Sequence, residues 1–153
     1  MITRILRQRL VRDTRGVAMV EFALILTILL MILLGIIQFG LIWYTKYAAV
    51  GASREGARYG VIFKPDASGN LIPPIAKVPS VVKVTEDYLV ALCPTLTPDM
   101  FTVTPSGAGY TTGAAGSDLT VTVTCQNPWN LLGWLAPSLG SMTFNAATTM
   151  KCE

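Results

Sequence analysis

Histidine is absent from the 153-residue chain, which removes the commonest general base and the commonest metal-ligating side chain. The carboxylates of its C-terminal half and the loop before it are scattered as Asp66, Glu86, Asp87, Asp99, Asp118 and Glu153. Glu86 and Asp87 are neighbours on a predicted helix and so point in different directions, which suits solvation better than paired acid/base work. Neither G-x-S-x-G, nor G-x-G-x-x-G, nor a P-loop lysine occurs. The three cysteines, Cys93, Cys125 and Cys152, form no C-x-x-C pair, so a zinc ribbon is not encoded. No catalytic, cofactor-binding or metal-binding residue is therefore assigned, and the expectation is a protein that is not an enzyme and needs no cofactor. Charge is also scarce. Charged residues make up 14% of the chain, against about 25% in an ordinary soluble domain, while hydrophobic residues reach 52%.

The net charge of +3 and a pI near 8.9 would by themselves invite a nucleic-acid partner. Their placement argues otherwise. Arg4, Arg7, Arg9, Arg12 and Arg15 crowd the first sixteen residues with only Asp13 opposing them, and the remainder of the chain is slightly acidic. From Phe22 to Thr45 no residue is charged and nearly all are large and apolar. A helix over Phe22 to Ile42 would be about 31 Å long, the thickness of a hydrocarbon core of about 30 Å. The aromatic residues Trp43, Tyr44 and Tyr47 follow at once as an interfacial belt, and the preceding arginines set the N-terminus on the cytoplasmic side. A cleavable secretory signal shares the basic start. Its apolar core, however, is usually about 7 to 15 residues, and here a helical pattern continues past the run. Small residues Ala48, Ala49, Gly51, Ala52, Gly56, Ala57 and Gly60 recur along that continuation, a pattern suited to close helix approach.

Glu21 breaks the apolar region near its start. A carboxylate within a hydrophobic span costs on the order of 2.5 to 3.5 kcal/mol toward its middle and less near an interface. Glu21 either lies at the headgroup level, solvated, or is compensated by a cation. A cut after Gly16 would supply one, because Val17 would become an α-amino terminus with Glu21 as the fifth residue of the new chain.

These residues resemble the class III signal of type IV pilins, and more closely the TadE-like pilins of the tight-adherence (Flp) system. The resemblance is carried by RGVAMVEFALIL at 15–26, GIIQFG at 35–40, AAVGASREGARYG at 48–60 and the C-terminal LTVTVTCQNPWNLLGWLAPSLGSMTFNAATTMKCE. Glu21-Phe22 fits the TadE-like pattern, whereas the short major Flp pilins carry Glu-Tyr. The resemblance implies a precursor inserted in the bacterial inner membrane and cut by a prepilin peptidase between Gly16 and Val17. It further implies that Glu21 pairs with the terminal amine of a neighbouring subunit during assembly. The expected partners are then other pilin subunits, inner-membrane pilus assembly proteins and membrane lipid, not nucleic acid. An unprocessed, single-pass signal-anchored binding module outside the membrane is the alternative. Arg54, Glu55 and Arg58 in SREGARYG read either as a solvated charged face or, from the resemblance, as an interaction site in the pilin bundle.

The composition changes at Lys64. Residues 64–80 carry four prolines and read as a loop. Ser80 is a plausible N-cap for a helix from Val81 to about Leu92, with Val81, Val84, Tyr88 and Leu92 on one face and Pro94 ending it. Met100–Thr104, Leu119–Cys125 and Met142–Met150 alternate as strands, and the glycine-rich stretch between the first two reads as a flexible connection. The apolar segment 127–140 is either a plug buried against the sheet or an exposed patch anchored by Trp129 and Trp134. If the strands are antiparallel neighbours, Cys125 falls near Cys93 and Cys152 at the opposite end, favouring a Cys93–Cys125 disulfide in an oxidising exterior. The expected organisation is α+β: a basic leader over 1–16, a transmembrane and extended N-terminal helix over 17–63, and a small extracytoplasmic domain over 64–153. That domain is expected to hold a short helix and a roughly three-stranded antiparallel sheet.

Overall fold

A computed structural model describes residues 14–129, 131, 133, 137 and 142–153. The first proline is Pro65, so nothing interrupts helix propagation before it, and helix α1 runs from Thr14 to Val61. The chain divides into two compact units between Ile37 and Gln38. In the first unit every described residue from 16 to 33 is exposed, Phe22 to 65%. The most apolar window of the helix has a mean hydropathy of 2.9 with none of its residues buried. The core helix of a soluble protein buries such a face; this one is long and apolar enough to cross a membrane and is left bare.

The second unit is an α+β domain built on the C-terminal part of α1. There one helical stripe is buried: Gln38, Thr45, Ala48, Ala49, Ala52, Ser53, Gly56, Ala57 and Gly60. The loop that follows α1 is tied locally, with Asp66 Oδ1 accepting from the amides of Ser68 and Asn70 at 2.8 Å each. Helix α2 spans Val81–Leu92, and Ser80 caps it by accepting from the Lys83 amide at 3.1 Å. Strands β1 (Phe101–Ser106), β2 (Asp118–Gln126) and β3 (Thr143–Lys151) form an antiparallel sheet in the order β1-β2-β3. The register pairs Phe101 with Cys125, and Cys125 with Phe144. In β2 the period of two is strict: Leu119, Val121, Val123 and Cys125 are fully buried while the intervening threonines face outward. On that outer face the Thr120 and Thr149 hydroxyls bond across the strands at 2.8 Å.

Two details depart from the sequence reading. The glycine-rich connection holds a short helix, α3 (Ala108–Thr112), entered through Gly107 at φ 99° and left through Gly113 at φ 64°, both conformations open to glycine. And α2 buries Val81, Thr85 and Leu89, leaving Tyr88 40% exposed. Hydropathy misplaced the face because Thr85 counts as polar, yet its hydroxyl returns to the Val81 carbonyl at 2.8 Å and is thereby satisfied inside the core.

The core has two clusters. One gathers Ala48, Ala49, Ala52, Leu89, Cys93, Leu96, Phe101, Val123, Cys125 and Ala146; the other Ala57, Val81, Leu119, Val121 and Cys152. Small residues on α1 let α2 and β2 come close. A Cβ on Gly56 would overlap the Thr85 hydroxyl and lie 3.4 Å from Val121 Cγ1, and one on Gly60 would overlap Leu119.

Candidate functional site

The bare stretch of α1 carries the residues singled out at the N-terminus. Gly16, Val17, Glu21 and Phe22 are all exposed on it. A Cβ at Gly16 would meet nothing within 4 Å, and the same holds for Gly35 and Gly40. Glycine in a helix interior forfeits up to about 1 kcal/mol relative to alanine. At Gly56 and Gly60 the chain's own packing requires it; at Gly16, Gly35 and Gly40 nothing among the described residues does. Glu21 makes no ion pair among the described residues. The leader arginines Arg4, Arg7, Arg9 and Arg12 lie outside the described residues.

The SREGARYG segment splits by face. Ser53, Gly56, Ala57 and Gly60 turn inward, and Ser53 Oγ lies 2.8 Å from Thr148 Oγ1 on β3. Arg54 and Arg58 turn outward. Arg58 Nε reaches Glu55 Oε2 at 3.5 Å, an exposed pair of the kind that contributes about 0 to 1 kcal/mol. Arg54 instead lies along a shallow groove of about 200 Å³ on α1, lined also by Trp43, Lys46, Tyr47 and Val50. Gly56 and Gly60 thus serve intramolecular packing, while the charges beside them face outward.

Two residues that the sequence reading passed over organise the ends of this unit. Gln38, 2% exposed, spends both ends of its amide on one loop: Nε2 donates to the Trp129 carbonyl at 2.9 Å, and Oε1 accepts from the Leu131 amide at 3.0 Å. Asn127 repeats the device, its side chain donating to the Trp129 carbonyl and accepting from the Trp129 amide. Trp129 is half-buried under this arrangement; Trp134 lies outside the described residues. At the other end the Lys77 ammonium donates to the carbonyls of Tyr59 at 3.0 Å, Gly60 at 2.7 Å and Ile62 at 2.5 Å, capping α1. Burial pushes the Lys77 pKa down. An amide alone in an apolar run was the one legible sign of Gln38, since a buried amide needs partners. Lys77 sits in an aperiodic loop and carried no sign.

All three cysteines are buried as free thiols. Cys93 and Cys125 share the first core cluster and Cys152 belongs to the second. Burial raises the pKa of each; for Cys125, with Cys93 adding to the effect, it is pushed up to about 11 from an ordinary 9.0. At neutral pH these are unreactive thiols. Among the described residues no three acidic or cysteine side chains gather as a metal site.

Against known proteins, the family model described as TadE-like protein matches residues 16–58. No curated protein and no solved structure matches the chain. The matched stretch begins at the unexplained Gly16, runs through the bare apolar helix with Glu21, and ends within the small-residue stripe that seats the domain. Over residues 16–58 the chain is similar to the TadE-like family of the tight-adherence pilus system.

Proposed function

We propose that the chain is a structural subunit of a tight-adherence pilus or of its assembly complex, made as a membrane-inserted precursor and cut between Gly16 and Val17. The observation that carries this reading is the coincidence of the TadE-like match with a bare, apolar helix whose Gly16 and Glu21 make no packing contact or ion pair among the described residues. On this reading the leader arginines hold the N-terminus in the cytoplasm, and the folded unit stands outside the bacterial inner membrane. Prepilin peptidase removes residues 1–16. The new Val17 ammonium of one subunit then meets Glu21 of its neighbour, and in low dielectric the charge-assisted pair offsets the cost of an unpaired carboxylate in the membrane, at most on the order of 2.5 to 3.5 kcal/mol and less near the interface. Phe22 and the other uncovered apolar residues pack against neighbouring helices, and the protein contributes architecture with no catalysis of its own.

Mass spectrometry of the protein from its native membranes is expected to find an N-terminus at Val17. Gly16→Ala and Gly16→Ser chains are expected to keep the leader on a blot. An intact leader in the native protein would sink the pilin reading in favour of an unprocessed membrane anchor.

The oxidising exterior brings a second proposal: Cys93 and Cys125 close into a disulfide, passing two electrons and two protons to a disulfide-donating oxidant. The reduced and oxidised forms then differ in alkali. In the reduced chain the folded Cys125 thiol keeps its proton up to about 11, while its unfolded counterpart ionises near 9.0. The folded state therefore binds more protons across that window. Its extra stability is complete below pH 9 and lost as pH climbs to about 11, by roughly 2 to 3 kcal/mol. Denaturant unfolding should show a larger loss in the reduced protein than in the oxidised one, where only Cys152 still titrates as a buried thiol. Identical pH profiles for the two, or a linked peptide joining Cys152, would count against the pairing.

A further inference from the structure

The bond partners of Gln38 bear on where the bilayer ends. From Val17 to Ile37 α1 is about 31 Å long at ~1.5 Å per residue, the thickness of a hydrocarbon core, and only Leu34 and Gly35 within it are half-buried. The next residue, Gln38, is buried, and what covers it is irregular backbone, the Trp129 carbonyl and the Leu131 amide. Irregular backbone is not found facing lipid inside the hydrocarbon region, because its free amide and carbonyl groups would have no partners there. The loop at Gln38 therefore has to lie outside the hydrocarbon.

Its surroundings nonetheless suit neither bulk water nor a polar partner. Phe39 and Trp43 form an exposed edge-to-face pair with ring centroids 6.0 Å apart, and Leu131 and Met142 are 44% and 43% exposed. Just beyond, Lys46 Nζ lies 5.5 Å from the Trp43 ring centroid and has no carboxylate partner among the described residues. Aromatic and aliphatic side chains with a free cation on their outer side match the order of a bilayer interface, apolar below and phosphate above.

We propose that the exposed side chains of Phe39, Trp43, Leu131 and Met142, together with half-buried Trp129, dock into the headgroup layer of the membrane, the loop carrying Trp129 and Leu131 being held at that depth by Gln38. The partner is phospholipid, with Lys46 facing its phosphates. The loop then gives the chain a second, non-helical contact with the bilayer. This inference depends on the reading that α1 crosses the membrane.

The test uses the full chain in vesicles of phosphatidylethanolamine and phosphatidylglycerol, with lipid spin labels placed either near the headgroup or near the acyl-chain end. Trp43→Phe with Trp134→Phe leaves Trp129 as the emitter. Its fluorescence is expected to be lost to the shallow label, to survive the deep one, and to resist aqueous iodide. Adding Gln38→Leu is expected to abolish quenching by the shallow label and admit iodide, while a chain keeping Trp43 alone is still quenched by the shallow label. Quenching of Trp129 by iodide alone would overturn the proposal, since the loop would face water. Protection from every quencher would do the same, since protein would be covering it. A separate chain with Ile28→Trp as its sole tryptophan reports on the span. If the deep label quenches that residue while Trp129 faces water, the docking fails and the span stands; if it does not, both fail.

Discussion

Gly56→Ala is expected to destabilise the folded unit by about 2 kcal/mol, although alanine is the better helix former. The gain in helix propensity is up to ~1 kcal/mol. Against it stands a methyl group that overlaps the Thr85 hydroxyl and lies 3.2 Å from Thr85 Cβ, with Val121 Cγ1 at 3.4 Å closing the other side. Overpacking of this kind costs roughly 1 to 3 kcal/mol, toward the upper end here because the overlapped hydroxyl and the crowded Cβ behind it belong to a short, stiff β-branched side chain and not to the end of a flexible one. Thr85 also has little room to turn, its hydroxyl being bonded to the Val81 carbonyl. Thermal unfolding in detergent, followed by circular dichroism, should show a fall of roughly 5 to 15 °C for a unit of this size. Gly40→Ala is the matched control. Its Cβ meets nothing within 4 Å, so stability should hold or rise. If Gly56→Ala proved as stable as Gly40→Ala, α1 would not be packed on α2 and β2 at this distance.

The same contrast separates folding from assembly. On the proposed function, a Gly40→Ala chain that is stable yet fails to enter pili would mark Gly40 as a point of helix contact between subunits. A Gly56→Ala chain would fail earlier, by loss of its own fold.

What could be read from the sequence depended on whether the deciding contact was local. Helix α2 was legible to its ends because Ser80 and Pro94 are punctuation at each terminus, and β2 because threonine and valine alternate without a break. Helix α3 was not, since glycines at positive φ entering and leaving a turn look like flexibility until the fold shows that they bound one. The face of α2 was misjudged for a different reason: Thr85 becomes a core residue only when its hydroxyl is bonded to its own helix and Gly56 makes room opposite. The burial of Gln38 within the expected span of Phe22 to Ile42 was hidden because hydropathy sees an apolar run continuing, while its cover comes from residues 91 and 93 positions away. At the candidate site, Gly16 and Glu21 stood out by pattern alone, since they interrupt a uniform background and need no tertiary partner to be noticed.

The largest single-residue effect away from α1 itself is expected at Lys77, and it tests how that helix ends. The last turn of a helix leaves carbonyls without intrahelical donors, and water or a side chain must satisfy them. Here one buried ammonium serves Tyr59, Gly60 and Ile62 together, and its charge lies at the negative end of the helix dipole. Lys77→Met keeps the length and apolar stem of the side chain and removes only the donors and the charge. The Gly60 carbonyl, whose bond to Lys77 is buried, then has no route to water unless the turn opens. Leaving buried acceptors unpaired costs about 1 to 3 kcal/mol each, and the lost dipole interaction adds up to ~2, so a loss of about 3 kcal/mol is expected with partial relief by hydration at the exposed Ile62 end. Lys64→Met removes an ammonium that donates to a single exposed carbonyl, that of Val78, and should change stability by less than about 1 kcal/mol. Denaturant unfolding would measure the difference between the two variants. Amide hydrogen exchange would locate it, with faster exchange from Tyr59 to Ile62 in Lys77→Met and unchanged protection in β2. Equal stability of the two variants would mean that water caps the helix as well as the lysine does, and that the burial of Lys77 serves the loop it belongs to.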